Sequence, residues 1–275
     1  MANESRGSDP TDVAVIVTGA ARGLGRAMTL GLTAAGVRVA AADLASSMGE
    51  LSEVLAEAKA HNLQDRIHPV ECDVTRWDDC RAAVNKAAAR FGALHGLINN
   101  AGIGMQGIGN VVVGARKKFY EVDAEAWRHA VDVNFNGAFM MAKAIAPILI
   151  ERGWGRIVNI ETSTFTMTMD GFSPYGPSKA ALEAATVIWA KDLADTGVTV
   201  NALAPGGAAN TRMIPAHEVS DRSTLVQPET MVAPIVWLMS LRSNGVTGRR
   251  IIAKEWDSAR LTKEPPEKVG IPAGW

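Results

Sequence analysis

Two residues one helical turn apart, Tyr175 and Lys179 in Tyr175-Gly176-Pro177-Ser178-Lys179, have the types and spacing for proton transfer. Positions i and i+4 of a helix share a face, so the phenol and the ammonium would be neighbours. Pro177 suits a helix only in its opening turns, which places the pair at a helix start. A nearby cation favours phenolate and draws a tyrosine pKa down from about 10, which makes Tyr175 a candidate general acid–base for a hydroxyl or carbonyl. The same spacing also occurs on solvated helix faces that do no chemistry.

A second group suits a phosphate-bearing ligand. Thr18-Gly19-Ala20-Ala21-Arg22-Gly23-Leu24-Gly25 follows an apolar run directly. Glycines there let the chain turn sharply and let a pyrophosphate approach backbone N–H groups at a helix start, while the third permits close helix–strand packing. Asp43 stands 18 residues after Gly25, near the spacing of a ribose-binding acid. A carboxylate there accepts from both ribose hydroxyls and repels a 2′-phosphate, favouring NAD over NADP; the other role open to it is a helix N-cap. Arg22 is a cation that would assist a phosphate, but Asp43 occupies the position where the 2′-phosphate would go.

The elements that must hold these residues are legible as alternating apolar runs and longer helical segments. Strands are expected at 13–18, 37–43, 67–72, 94–98, 156–160, 198–203 and 249–253, with helices at 24–35, 47–60, 77–91, 123–151, 175–195 and after Pro228. This alternation predicts an α/β fold, a Rossmann-type doubly wound parallel sheet of about seven strands with helices on both faces. One domain is expected over 13–257, preceded by a flexible tail at 1–12 and followed by a C-terminal tail at 258–275.

Composition removes other classes. Of 275 residues 47% are hydrophobic and 21% charged, which is enough apolar mass for a large core. A net charge of −1 supplies no field for nucleic acid or anionic membrane. The apolar stretch 138–150, interrupted by Lys143, is too short to span a bilayer, and the polar first twelve residues carry no secretory pattern. Two cysteines, Cys72 and Cys80, suit a reducing cytoplasm. The five histidines show no ligand-like spacing, so no metal is expected.

Gly19-x-x-x-Gly23-x-Gly25, Asn99-Asn100-Ala101-Gly102 and Tyr175-x-x-x-Lys179, in this order and separation, resemble the "classical" short-chain dehydrogenase/reductase family from about residue 13 to about 253. Cys72-Asp73-Val74 resembles its adenine-contacting segment, and Asn201-Ala202-Leu203-Ala204-Pro205-Gly206 its strand and turn beside the nicotinamide. The resemblance implies hydride transfer between a nicotinamide cofactor and a secondary alcohol or ketone. Tyr175 would exchange the proton, Lys179 would bind the nicotinamide ribose and lower the Tyr175 pKa, and Asn134, at a break in its long helix, would hold a water leading from Lys179 to solvent. It also implies that Gly19, Arg22, Gly23, Leu24, Gly25, Asp43, Asp73, Val74, Asn100, Ala101, Gly102, Pro205, Gly206 and Thr211 line the cofactor site, and that the chain forms a homotetramer or homodimer.

The sequence departs from the family pattern in three places. The serine thirteen positions before the tyrosine is Thr162, whose hydroxyl can orient a substrate oxygen while its methyl narrows the pocket; Ser163 is the alternative. Four residues rather than three separate Gly206 from Thr211, so Asn210 is a substitute for Thr211. The last strand lacks its usual glycines and continues to Trp275, which makes Trp256 and Trp275 either interface anchors or parts of a packed tail.

Substrate walls are expected from 103–120, from Thr164–Met169 and from a lid at Met213–Val226. With no cations in the Thr164–Gly171 wall, a neutral, partly apolar alcohol or ketone is favoured; Arg116-Lys117-Lys118 is either an anion receptor or solvated surface. Two other classes remain on the same fold, a non-catalytic dinucleotide-binding protein and a lyase or epimerase.

Overall fold

The computed structural model describes residues 13–112, 114–261 and 265–274. The expected tail at 1–12, Val113 and Trp275 lie outside the described residues. The first half runs β1 (Ala14–Thr18), α1 (Gly23–Ala34), β2 (Arg38–Asp43), α2 (Met48–Ala60), β3 (Ile67–Glu71), α3 (Trp77–Phe91) and β4 (Gly96–Asn99). The second runs α4 (Ala124–Val131), α5 (Gly137–Arg152), β5 (Gly155–Ile160), α6 (Thr164–Met167), α7 (Tyr175–Asp192), β6 (Val198–Ala204), α8 (Val232–Leu238), β7 (Arg249–Ile252), α9 (Ser258–Leu261) and β8 (Ile271–Pro272).

The strands form one sheet in the order β3-β2-β1-β4-β5-β6-β7-β8. All pairs are parallel except β7 with β8, which run antiparallel with Arg250 opposite Ile271. Side chains alternate across each strand, so β1 supplies both faces. Val15 and Val17 pack with Met28 and Leu32 of α1, Val54 of α2 and Leu238 of α8. Ala14 and Ile16 pack with Val84 and Ala87 of α3 and Met141 and Ile145 of α5. Because both faces are covered, the central strands have no polar side and read as unbroken apolar runs. Strand order reverses between β1 and β4, and this opens the crevice above their C-terminal ends where such folds take ligands.

The seven expected strands are all present, and among the described residues an eighth, β8, joins the β7 edge from the segment expected to be a tail. Two residues between Gly270 and Ala273 give too weak a pattern to read as a strand. The break that the resemblance implied at Asn134 is a wide π-helical turn at Asp132–Asn136, which divides the helix expected over 123–151. The run Ala124–Arg152 is 29 residues long and apolar enough to cross a bilayer by composition. Its apolar side faces inward through Met141, Ile145 and Leu149, so it is a core helix. Trp256 packs within its own chain, edge-on against Trp237 at 5.4 Å.

Candidate active site

The glycine turn forms the floor of the crevice. Gly19 and Gly23 have φ of +64° and +55°, which favour glycine. Gly25 lies so close beneath the turn that a Cβ there would strike the Gly19 carbonyl oxygen and the Asn100 amide. Asn100 and Thr18 clamp the turn to the end of β4. The Asn100 Nδ2 donates to the carbonyls of Thr18 and Gly19 at 2.8 and 3.0 Å. Thr18 Oγ1 accepts from the N–H groups of Asn100 and Ala101, both at 3.0 Å. Asn100 thus shapes the site from behind, whereas Ala101 and Gly102 continue along its rim.

Asp43 closes the end of β2. Its carboxylate accepts from Ala21 N–H and Leu44 N–H, both at 2.9 Å, so it braces the glycine turn. It does not cap α2, whose N-cap position is Ser47. Arg22 donates to Ser47 Oγ at 2.6 Å and pairs with Glu50 at 3.2 Å. Leu24 packs inward against the core. Asp73 holds its own turn by accepting from Thr75, and Val74 packs against Gly137 where α5 begins.

On the opposite side, Gly206 has φ +93° and a Cβ there would meet Lys254 and Ile252. The Pro205 carbonyl accepts from Lys254 N–H at 3.1 Å. The longer turn that follows brings Thr211 over the glycine turn, with its Cγ2 3.0 Å from a Cβ built on Gly23. Asn210 is engaged elsewhere, by Gln227 at 2.8 Å and Arg222 at 2.6 Å, so Thr211 and not Asn210 reaches the crevice.

The residues expected to transfer a proton come together where β5 ends and α7 begins. Tyr175 is the first residue of α7 and Lys179 lies one turn on. The Thr162 hydroxyl lies beside the Tyr175 phenol and draws its pKa down, while Ser163 caps α6 by accepting from Thr166 N–H at 3.1 Å. Thr162 therefore fills the position next to the phenol. Asn134, in the π turn, accepts from Ile103 N–H at 2.8 Å and donates to the Ile103 carbonyl and Ser178 Oγ at 3.0 and 3.1 Å. Its oxygen lies 3.2 Å and Lys179 Nζ 4.0 Å from a Cβ built on Gly102, so the rim of the crevice reaches both.

The electrostatics differ from what spacing alone predicts. Lys179 Nζ donates to the Ile160 carbonyl at 2.7 Å and is buried. Burial pulls its pKa down and Glu161 holds it up. The Tyr175 phenol is pushed up to about 12, first by burial and then by the Glu161 carboxylate, against the Thr162 hydrogen bond. Burial pushes Glu161 itself up to about 8. Behind it, Glu183 and Arg250 form a buried pair at 2.8 Å, and Arg250 also donates to the Thr162 carbonyl at 2.7 Å. Sequence reasoning missed Glu161, Glu183 and Arg250. Their signal was a charge set in an otherwise apolar strand or on a helix face one turn from Lys179.

The expected walls meet over the crevice. Met213 packs on Gly104, and Val112 N–H donates to Glu218 at 2.9 Å. The basic run is engaged internally: Arg116 donates to the Val112 carbonyl and lies 4.8 Å from the Phe172 ring, while Lys118 pairs with Asp170 at 2.8 Å.

Comparison with known proteins matches this chain to the short chain dehydrogenase model over residues 13–220. The chain belongs to the short-chain dehydrogenase family. It is 30% identical over 245 residues to a 3-oxoacyl-[acyl-carrier-protein] reductase of Thermotoga maritima, covering 86% of this chain and 94% of that protein. It is 30% identical to the 2,5-dichloro-2,5-cyclohexadiene-1,4-diol dehydrogenase of Sphingobium indicum, covering 90% and 97%. A short-chain type dehydrogenase/reductase from Mycobacterium ulcerans superposes with a TM-score of 0.77 at 28% identity, covering 88% of each chain. The protein is accordingly a short-chain oxidoreductase of CH–OH and keto groups that uses a nicotinamide dinucleotide. The glycine floor fits such a group, since side chains at Gly19, Gly23 or Gly25 would fill or distort the space beside the backbone N–H groups.

Proposed function

We propose that this short-chain dehydrogenase transfers hydride between NAD(H) and a neutral, partly apolar secondary alcohol or ketone, with Tyr175 as general acid–base. The observation that carries this reading is the convergence of Thr162, Tyr175, Lys179 and Asn134 on the end of the crevice away from the Asp43 ribose position. The bound dinucleotide supplies or accepts the hydride. Tyr175 gives its proton to the carbonyl oxygen in reduction and takes one from the hydroxyl in oxidation. Thr162 orients that oxygen through its hydroxyl. Lys179 binds the nicotinamide ribose. Asn134 Oδ1 accepts one hydrogen bond, from Ile103 N–H, which leaves its second lone pair to hold a water on the route from Lys179 to solvent.

Preference for NAD is supported by charge. A 2′-phosphate at the end of β2 would face the Asp43 carboxylate, and Arg22 is already held by Glu50. A neutral substrate is supported by the walls, where Met105, Ile108, Met167 and Phe172 are buried and the nearby cations are paired. A homodimer or homotetramer is supported by an exposed strip of Trp77, Phe139 and Ile150 on α3 and α5. A cytoplasmic location is supported by the low cysteine count, two buried residues, Cys72 and Cys80.

The test is titration with NADH and NADPH, followed by a panel of alcohols and ketones read at the reduced-nicotinamide absorbance, with Tyr175→Phe in parallel. Tight NADH binding and turnover lost in the variant support the reading. The raised phenol favours a second reading, a weakly active dinucleotide binder, which NADH binding without turnover across the panel would select.

A further inference from the structure

We infer that Arg250 is a positioning residue of this active site, whose guanidinium sets where the Thr162 hydroxyl stands relative to the Tyr175 phenol. The inference rests on Thr162 and Tyr175 acting on the substrate oxygen as proposed above. The two residues belong to different parts of the fold. Tyr175 opens α7, whereas Thr162 lies past the end of β5 and before α6, in neither a strand nor a helix. Arg250 joins them. Its Nη1 donates to the Thr162 carbonyl at 2.7 Å, and its Nη2 lies 3.8 Å from the sulfur of Met167, the last residue of α6. One group thus touches both ends of the segment 162–167. Its other edge is held by α7, where Nε donates to Glu183 Oε1 at 3.0 Å and Nη2 lies 2.8 Å from Oε2. Tyr175, Lys179 and Glu183 follow one another at steps of four along this helix, and such residues share a face. The Gly274 N–H donates to the same Oε1 at 2.9 Å and fixes the carboxylate from the β8 side.

Fold stability alone gives little reason for this pair. Glu183 and Arg250 are 0% and 3% exposed. The cost of desolvating such a pair offsets most of its attraction, and apolar residues of similar volume often serve a fold as well. What apolar residues cannot do is donate a further hydrogen bond. The guanidinium carries its N–H donors in a planar, fixed fork. Here the edge formed by Nε and Nη2 grips the carboxylate, while Nη1 is aimed at the Thr162 carbonyl. A lysine ammonium is a single point and cannot reproduce both contacts. The separation between α7 and the Thr162 peptide is therefore set by one rigid group, and the hydroxyl of that residue inherits the placement. Such placement matters because a displacement of about 1 Å at a reacting centre can cost about a hundredfold in rate.

The chain has only two tyrosines, Tyr120 and Tyr175, and Tyr120 is 73% exposed. The full chain labelled at tyrosine Cζ with carbon-13 therefore shows one exposed reference and one active-site resonance, assigned with Tyr175→Phe. Glu183→Gln combined with Arg250→Met removes both charges at once, so no buried ion is left uncompensated. Arg250→Lys keeps the charge opposite Glu183 and gives up the fork. Thr162→Val reports what loss of the hydroxyl does by itself. The expected result is that all three shift the Tyr175 resonance and leave Tyr120 in place. Adding Thr162→Val to the paired variant or to Arg250→Lys should move Tyr175 no further, because residues that act through one another are not additive. With NADH and the ketone that wild type reduces fastest, kcat should fall by about tenfold or more while the NADH Kd stays within about twofold. A Tyr175 resonance that keeps its wild-type position in both the paired variant and Arg250→Lys overturns the inference. So does a shift that adds in full to that of Thr162→Val. A purely structural pair would lower the melting temperature and leave the resonance of the folded protein where it was. Because the resonance needs no turnover, these outcomes are separate from the failure of the acid–base reading, which would appear as wild-type turnover in Tyr175→Phe.

Discussion

At Asp43 one carboxylate does two things, and a single substitution separates them. It holds two backbone N–H groups of the glycine turn and the β2 end, and it presents negative charge at the ribose position. Asp43→Ala should relax the discrimination between NADH and NADPH by about tenfold or more, equivalent to about 1.4 kcal/mol. Leaving the buried Ala21 N–H unpaired should also lower the melting temperature, at about 1–3 kcal/mol. Ratios of dissociation constants read the first effect and thermal unfolding the second; unchanged discrimination would remove Asp43 from its assigned role. At Tyr175 the contrast is reversed. Tyr175→Phe keeps the ring against Phe172, 6.4 Å away, and deletes only the titrating oxygen, so NADH affinity should stay near wild type while turnover falls by about a hundredfold or more.

At the scale of elements, the close approach of α1 to β1 and β4 is what makes the glycine turn a floor. Gly25→Ala pushes a methyl into the Gly19 carbonyl and the Asn100 amide. It should open the clamp, weaken NADH binding by about tenfold or more and reduce stability, which fluorescence titration and thermal unfolding will measure. Much of this scale was legible in advance. β1, β2 and β5 lie within a residue or two of their expected bounds because strands buried on both faces are continuous apolar runs ended by turn residues. The Tyr175–Lys179 pair and Thr162 were readable because a fixed spacing carries them. What was not readable depends on contacts distant in sequence. The resemblance implied a break at Asn134, but not the contacts its side chain makes there with Ile103 and Ser178. The partners of Glu161 come from α7 and β7. The engagement of Arg116 and Lys118 by Val112, Phe172 and Asp170 likewise joins residues far apart in sequence.

For the molecule as a whole, the buried carboxyl ties stability to pH. Glu161 is raised from a carboxyl's ordinary 4.5 to about 8 in the folded chain. The folded state therefore binds a proton that the unfolded state has released between those values. Its contribution to stability is complete below about pH 4.5 and is lost as pH rises through about 8. Glu161→Gln should remove that loss, so its melting temperature should exceed wild type at pH 9 by more than it does at pH 5. Equal differences at the two pH values would count against a carboxyl that titrates inside the fold.

The buried pair of Glu183 and Arg250 has a consequence for the order in which the polypeptide is made. Glu183 belongs to the helix that carries Tyr175 and Lys179, but its counter-ion lies 67 positions later, and the Gly274 N–H that also bonds it comes later still. While a nascent chain ends before Arg250, docking this helix on the sheet would bury an uncompensated carboxylate, at a cost no neighbour offsets. During synthesis, docking of this helix is therefore deferred until β7 is delivered. The end of the crevice that holds Tyr175 is completed only when the final strands are delivered.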